Sequence, residues 1–281
     1  MVIKLMKIFR KKIVLLLLLV LSIGLLSGCS YFIPLTNSQI SEGTYSGEFY
    51  SYDEFNQLPI YVSDTYNMSN IDQYNDILVQ TKDHIIKANV SIRMRINLGI
   101  SYDTKSGSGF VYKEDDTYYY AITNHHVIDN EGRSNTTYEV KTFEDTDYQE
   151  ASVVLSNESL DLAVIRFEKN NREEVEMINI TKRLDYRFKS DELLFAIGNP
   201  LSLTNTVSFG QYQGITLIEN VDFIVIQHTA EIYNGSSGGA LVDVDGNLVG
   251  VNTWGIDNSN LSFAIPNFVV YNFLISNDLY E

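Results

Sequence analysis

The chain is 281 residues long and 44 % hydrophobic, and its 36 Asp and Glu outweigh 20 Lys and Arg to give a formal net charge of −16 at pH 7. That length suffices for one large or two small cores, and the acidic surplus excludes nucleic acid as a natural partner, since phosphates would be repelled. With a single cysteine the chain has no internal disulfide framework, and with four histidines it offers few candidates for a general base or metal ligand.

In chain order, Lys4, Lys7, Arg10, Lys11 and Lys12 precede an uninterrupted apolar run from Ile13 to Leu26. Cations followed by an apolar core too short for a full span are the pattern of a secretory signal. The run ends in Leu26-Ser27-Gly28-Cys29, which resembles the lipobox at which bacterial lipoprotein precursors are modified and cut. The expectation is that residues 1–28 are removed and that Cys29 carries a lipid. The rest of the chain would then sit on the extracytoplasmic face of a bacterial cell membrane. An uncleaved anchor helix is the alternative, and it implies the same compartment. Losing five cations and no anion takes the net charge from −16 to −21; an anionic membrane surface would repel such a domain, so the lipid must do the tethering.

Residues 29–70 are rich in Ser, Asn, Tyr, Gly and acids without a sustained period, which reads as a partly ordered tether. From Ile71 to Ala88 the apolar positions Tyr74, Ile77, Leu78, Ile85 and Ile86 recur at helical spacing. Beyond Asn89 the period becomes two, with Val90, Ile92, Met94, Ile96 and Leu98 alternating with polar residues. Strand-like runs follow near residues 107–113, 118–123, 138–143, 150–155 and 161–167, which predicts a first antiparallel barrel over about 90–170. After a charged stretch, Lys169 to Lys189, a second series near 193–197, 206–218, 223–227, 240–244, 248–253 and 261–265 predicts a second barrel over about 190–266. Residues 267–281 are expected to form a closing helix.

Acyl transfer by a serine requires a hydroxyl, a base for its proton, a group to orient the base and donors for the oxyanion. His84 falls on the predicted helix and His228 ends a strand, leaving His125 and His126 in Thr123-Asn124-His125-His126-Val127. A metal role for the pair is improbable, because neither a cysteine cluster nor a His-Glu-x-x-His spacing is present. A serine between glycines lies in Asn234-Gly235-Ser236-Ser237-Gly238-Gly239, between two predicted strands. Glycines there permit tight turns and let the N–H groups of Gly235 and Ser237 converge as an oxyanion hole. Gly-x-Ser-x-Gly also fits the α/β-hydrolase elbow, but in that fold the histidine follows the serine, and no histidine follows Ser237. Of the acids between His126 and Ser237, among them Asp129, Asp145, Asp147 and Asp161, Asp161 opens the apolar run Leu162-Ala163-Val164-Ile165, where its carboxylate can be partly buried.

Thr123-Asn124-x-His126-Val127, Asp161-Leu162-Ala163-Val164 and Gly235-Ser236-Ser237-Gly238-Gly239 resemble the three catalytic motifs of the HtrA/DegP-like trypsin-fold serine proteases. Gly107-Ser108-Gly109-Phe110, Ala196-Ile197-Gly198-Asn199-Pro200, Ile226-Gln227 and Phe263-Ala264-Ile265-Pro266 extend the likeness across residues 90 to 270. The resemblance implies an all-β, chymotrypsin-like double six-stranded antiparallel barrel, with a short N-terminal helix and a C-terminal helix, in a protease domain of residues 71–270. It selects His126 over His125 as general base, with Asp161 as the orienting acid and Ser237 as nucleophile. Protein or peptide substrates and no metal or organic cofactor are expected.

Two departures limit what carries over. Ser236 replaces the family's usual Asn before the nucleophile. The chain ends soon after Pro266, where members with PDZ domains continue, so trimerisation, peptide-activated regulation and chaperone action are not carried over, and the oligomeric state stays open. The resemblance also points to Glu231, Thr253 and Trp254 as lining the primary specificity pocket. An acid at Glu231 would favour Lys or Arg before the scissile bond, whereas the family's usual small residue favours small aliphatic side chains. The rival readings are a catalytically silent protease fold that binds a partner protein, and an esterase using the same residues.

Overall fold

Two rings of antiparallel strands, each closed on itself, form the body of the computed structural model, which describes residues 33–34, 49–67, 70–170, 172, 174–200, 204–255 and 261–280. The expected signal segment and the lipidation site Cys29 lie outside the described residues.

The first ring contains β2 (Asn89–Asn97), β3 (Tyr102–Glu114), β4 (Tyr118–Thr123), β5 (Thr136–Lys141), β6 (Gln149–Asn157) and β7 (Leu162–Glu168), in the order β2-β3-β4-β7-β6-β5. Pairing of β5 with β2 closes it. The alternation expected in β2 is realised in part: Val90, Ile92, Met94 and Ile96 are buried, but so are Asn89 and Ser91, and Leu98, expected inside, is exposed beyond the strand's end. Removing apolar surface from water at about 25 cal/mol per Å² is what fixes such a register, since a slip of one residue would turn all four outward.

The second ring contains β8 (Leu193–Gly198), β9 (Thr206–Thr216), β10 (Val225–His228), β11 (Ala240–Val242), β12 (Leu248–Gly255) and β13 (Ser262–Pro266). Its order is β12-β11-β8-β9-β10-β13, and β13 pairs back onto β12. A two-residue strand, β1 (Ile33–Pro34), adds to β12 from outside, in parallel. The expected double barrel is thus the observed architecture.

Among the described residues, four α-helices flank the rings: α1 (Tyr52–Gln57), α2 (Ile71–Ala88), α3 (His125–Ile128) and α4 (Asn267–Ile275). Helix α2 covers the helix expected from spacing. Asn70 caps its N-terminus by accepting from the N–H groups of Asp72 and Gln73, and it buries Thr81, Ile85 and Ala88.

In place of a tether, residues 49–67 lie against the second ring. Ser51 and Glu54 form a reciprocal capping box on α1, Phe49 and Phe55 are buried in the larger core, and Ile60 bridges to Arg187. The hydroxyls of Ser63 and Thr65 donate to Asp245 Oδ1 at 2.8 and 2.7 Å, and Tyr61 donates to Oδ2 at 3.2 Å.

The charged stretch between the rings is also more structured than its composition suggests. Ile178, Ile180 and Phe188 are buried. Arg183, fully buried, is bound to Glu192 at 2.7 Å and Asp243 at 2.8 Å, with its guanidinium 4.2 Å from the Tyr61 ring.

Candidate active site

His126 lies in α3, a single turn that begins directly after β4, so the strand end and the turn together aim its ring. Asp161 precedes β7 rather than opening it, in a left-handed turn at φ 50°, a conformation that Asp tolerates better than most residues. Asn124 fixes this turn by donating to the Asp161 carbonyl at 2.9 Å.

The Asp161 carboxylate accepts from three donors. His126 Nδ1 lies 2.9 Å from Oδ2 and 3.0 Å from Oδ1, the His126 backbone N–H donates to Oδ1 at 3.0 Å, and Thr253 Oγ1 donates to Oδ2 at 2.6 Å. With Nδ1 donating to the carboxylate, the neutral imidazole carries its lone pair on Nε2. Among the described residues Nε2 has no hydrogen-bond partner.

Ser237 sits between β10 and β11 on the opposite barrel and is 2 % exposed. Its Oγ makes a long contact of 3.5 Å with the Thr253 carbonyl and none with His126, so the expected serine–histidine bond is open in this conformation. Two left-handed glycines shape the loop, Gly235 at φ 98° and Gly238 at φ 85°. A Cβ on Gly238 would strike the Ser108 carbonyl and Thr123 Oγ1. Among the described residues the N–H groups of Gly235 and Ser237 donate to no acceptor, which leaves both available to an oxyanion.

The loop is pinned from the other barrel by Ser108 on β3. Its hydroxyl donates to the Gly235 carbonyl at 2.6 Å and accepts from Asn199 N at 2.8 Å and Nδ2 at 3.1 Å; its N–H donates to the Ser237 carbonyl at 2.8 Å. In the sequence Ser108 stands out only as part of a weak motif.

Glu231, Thr253 and Trp254, expected in one specificity pocket, come from two segments, Glu231 from the stretch between β10 and Ser237 and the other two from β12. Glu231 accepts from Tyr233 Oη at 2.7 Å and borders a cavity of about 690 Å³ with Tyr233, Ser236, Phe209 and Ile197. Thr253 and Trp254 are on β12 and are absent from its lining. The other histidines stand apart: His84 faces Glu176, His125 contacts Ser156 Oγ at 2.6 Å, and His228 is buried at the end of β10. Among the described residues no cluster of three or more His, Cys, Asp or Glu could hold a metal ion.

Two barrels meeting at a serine, a histidine and an aspartate define the chymotrypsin-like peptidase class. Residues 107–251 match the family model of the trypsin-like peptidase domain, and the chain belongs to that family. It is 36 % identical to "Serine protease HTRA4" of Mus musculus over 177 residues, covering 61 % of this chain and 34 % of the relative. Identity to "Serine protease HTRA1" of Xenopus laevis is 34 % over 175 residues, 60 % of this chain and 35 % of that one. "Probable periplasmic serine endoprotease DegP-like" of Chlamydia muridarum is 32 % identical over 174 residues, 59 % of this chain and 32 % of that protein. The match thus spans about a third of these relatives' length.

Proposed function

We propose that the chain is an HtrA-like serine endopeptidase, tethered by a lipid on Cys29 to the outer face of a bacterial membrane. It would hydrolyse peptide bonds of proteins or peptides without a metal or organic cofactor. The observation that carries the reading is the Asp161–His126 pair at 2.9 Å, which leaves Nε2 as the ring nitrogen free of the carboxylate, beside a serine loop whose Gly235 and Ser237 N–H groups bond to no acceptor among the described residues.

Ser237 Oγ swings from the Thr253 carbonyl toward Nε2 and gives up its proton as it attacks the peptide carbonyl. Asp161 holds the resulting imidazolium, and the N–H groups of Gly235 and Ser237 take the oxyanion, a donor of this kind contributing about 3 kcal/mol to the transition state. Collapse of the tetrahedral intermediate breaks the C–N bond, and the leaving amine takes the proton from His126. Water then repeats the sequence on the acyl-enzyme.

A fluorophosphonate probe tests this directly: covalent labelling at Ser237, lost together with casein hydrolysis in a folded Ser237→Ala variant, is the expected result. Undiminished hydrolysis by that variant overturns the reading. A folded wild-type protein that neither labels nor cleaves favours a silent binding module instead.

A further inference from the structure

Strand β1 pairs with β12 through Ile33 opposite Trp254 and Pro34 opposite Gly255. These positions directly follow Thr253, whose hydroxyl holds Asp161 and whose carbonyl faces Ser237 Oγ. On one side of β12, Trp254 pairs with Phe263 and Gly255 with Ser262 of β13. On the other side β11 reaches only to the pairing of Ala240 with Val251, extended by the backbone bonds between Asn252 and the glycines 238 and 239. Among the described residues, only β1 covers the remaining edge at Trp254 and Gly255. An open strand edge is a template for an extended peptide, with main-chain hydrogen bonds supplying the affinity. A peptide lying on this edge runs within one or two residues of the position facing Ser237.

We propose that Ile33–Pro34 is an intramolecular competitor, occupying the edge of β12 on which a substrate polypeptide lies, so that extended peptides are cleaved only when this segment lifts off. The inference rests on Ser237 being the nucleophile. The contact is built to be reversible. It is two residues long, its pairing is parallel, which is slightly weaker per residue than antiparallel, and Pro34 has no N–H to donate. Residues 49–67 keep the segment nearby, since Phe49 and Phe55 are fixed in the core and Ser63 and Thr65 hold Asp245. Pro34 lies fifteen residues before Phe49, a connection short enough to present the competitor at an effective concentration on the order of millimolar. It would raise KM for a peptide and leave the chemistry at Ser237 unchanged.

The test uses the full chain with Ile33→Pro, which removes the remaining N–H donor of the segment. For an extended peptide substrate kcat/KM is expected to rise at least about fivefold, through KM, as an effective competitor in the millimolar range is withdrawn. The rate of labelling by diisopropyl fluorophosphate, too small to need the strand edge, stays the same. In a second variant, Pro34→Cys with Gly255→Cys, the oxidised, cross-linked form should hydrolyse peptide at least about tenfold more slowly than the same variant reduced, each compared with the other and not with wild type. Equal kcat/KM in wild type and Ile33→Pro, or equal hydrolysis by the cross-linked and reduced forms, overturns the inference while labelling at Ser237 keeps the nucleophile. Absence of labelling in every form removes the nucleophile and the inference with it.

Discussion

Thr253 donates its hydroxyl to Asp161 across 2.6 Å, joining the second barrel to the acid that orients a histidine on the first. Thr253→Val deletes this donor while keeping the branched shape, so the carboxylate loses one of its three partners and the ring is held less firmly. A fall in kcat of about tenfold with little change in KM is expected, equivalent to about 1.4 kcal/mol of transition-state stabilisation. Thr253→Ser should recover most of it; steady-state kinetics on one peptide substrate checks both.

Ser108→Ala leaves the Gly235 carbonyl and the Asn199 N–H without their buried partner. The expected cost is about 1–3 kcal/mol of stability, read from urea unfolding, together with slower fluorophosphonate labelling as the serine loop loosens. Unchanged labelling would separate the loop's geometry from this hydroxyl.

Arg183→Met keeps an unbranched apolar stem but removes the guanidinium and strands Glu192 and Asp243, both buried. Breaking one partner out of a buried ionic cluster costs about 3–5 kcal/mol. Because the Asp243–Asn247 turn also carries Asp245, the variant should become cleavable by an added protease within residues 49–67 before the barrels unfold. Limited proteolysis followed by mass spectrometry reads this out.

Acid should weaken the fold through His228. Burial lowers its pKa to about 3, against the opposing pull of the Ala230 backbone and the Asn252 side chain, whereas an unfolded histidine titrates near 6.5. Between those values the unfolded chain binds a proton that the folded one does not, so stability falls as pH drops, by up to about 1.4 kcal/mol per pH unit. His228→Gln, which cannot titrate, should flatten this part of the curve; denaturant midpoints for both proteins at pH 7 and pH 5 provide the comparison.

Much of the fold was legible because the strands carry short apolar runs between polar turns, alternating in parts of the first ring and continuous in β11, β12 and β13, which are buried on both faces. That His126 and Asp161 meet, and that the chain turns tightly at Ser237, was legible in the unusual sequence neighbours of all three. What could not be read depends on partners far away along the chain. Tyr61 meets Asp245 across 184 residues, so the segment around it has the composition of a polar spacer. Arg183 has the surroundings of a solvated charge run, because only the fold brings Glu192 and Asp243 to it. Ser108 is one hydroxyl among many until Gly235 and Asn199 converge on it.

The pairing of Ile33 with Trp254 also sets a length. Cys29 stands four residues before Ile33 and twenty before Phe49. On the reading that Cys29 carries a lipid, four extended residues span at most about 14 Å and twenty about 70 Å. With β1 seated, such a lipid would hold Ile33 within that shorter distance of the bilayer. Release would lengthen the leash about fivefold in the same event that bares the strand edge, turning a surface-bound, closed protein into one that can search the space beyond its own headgroups.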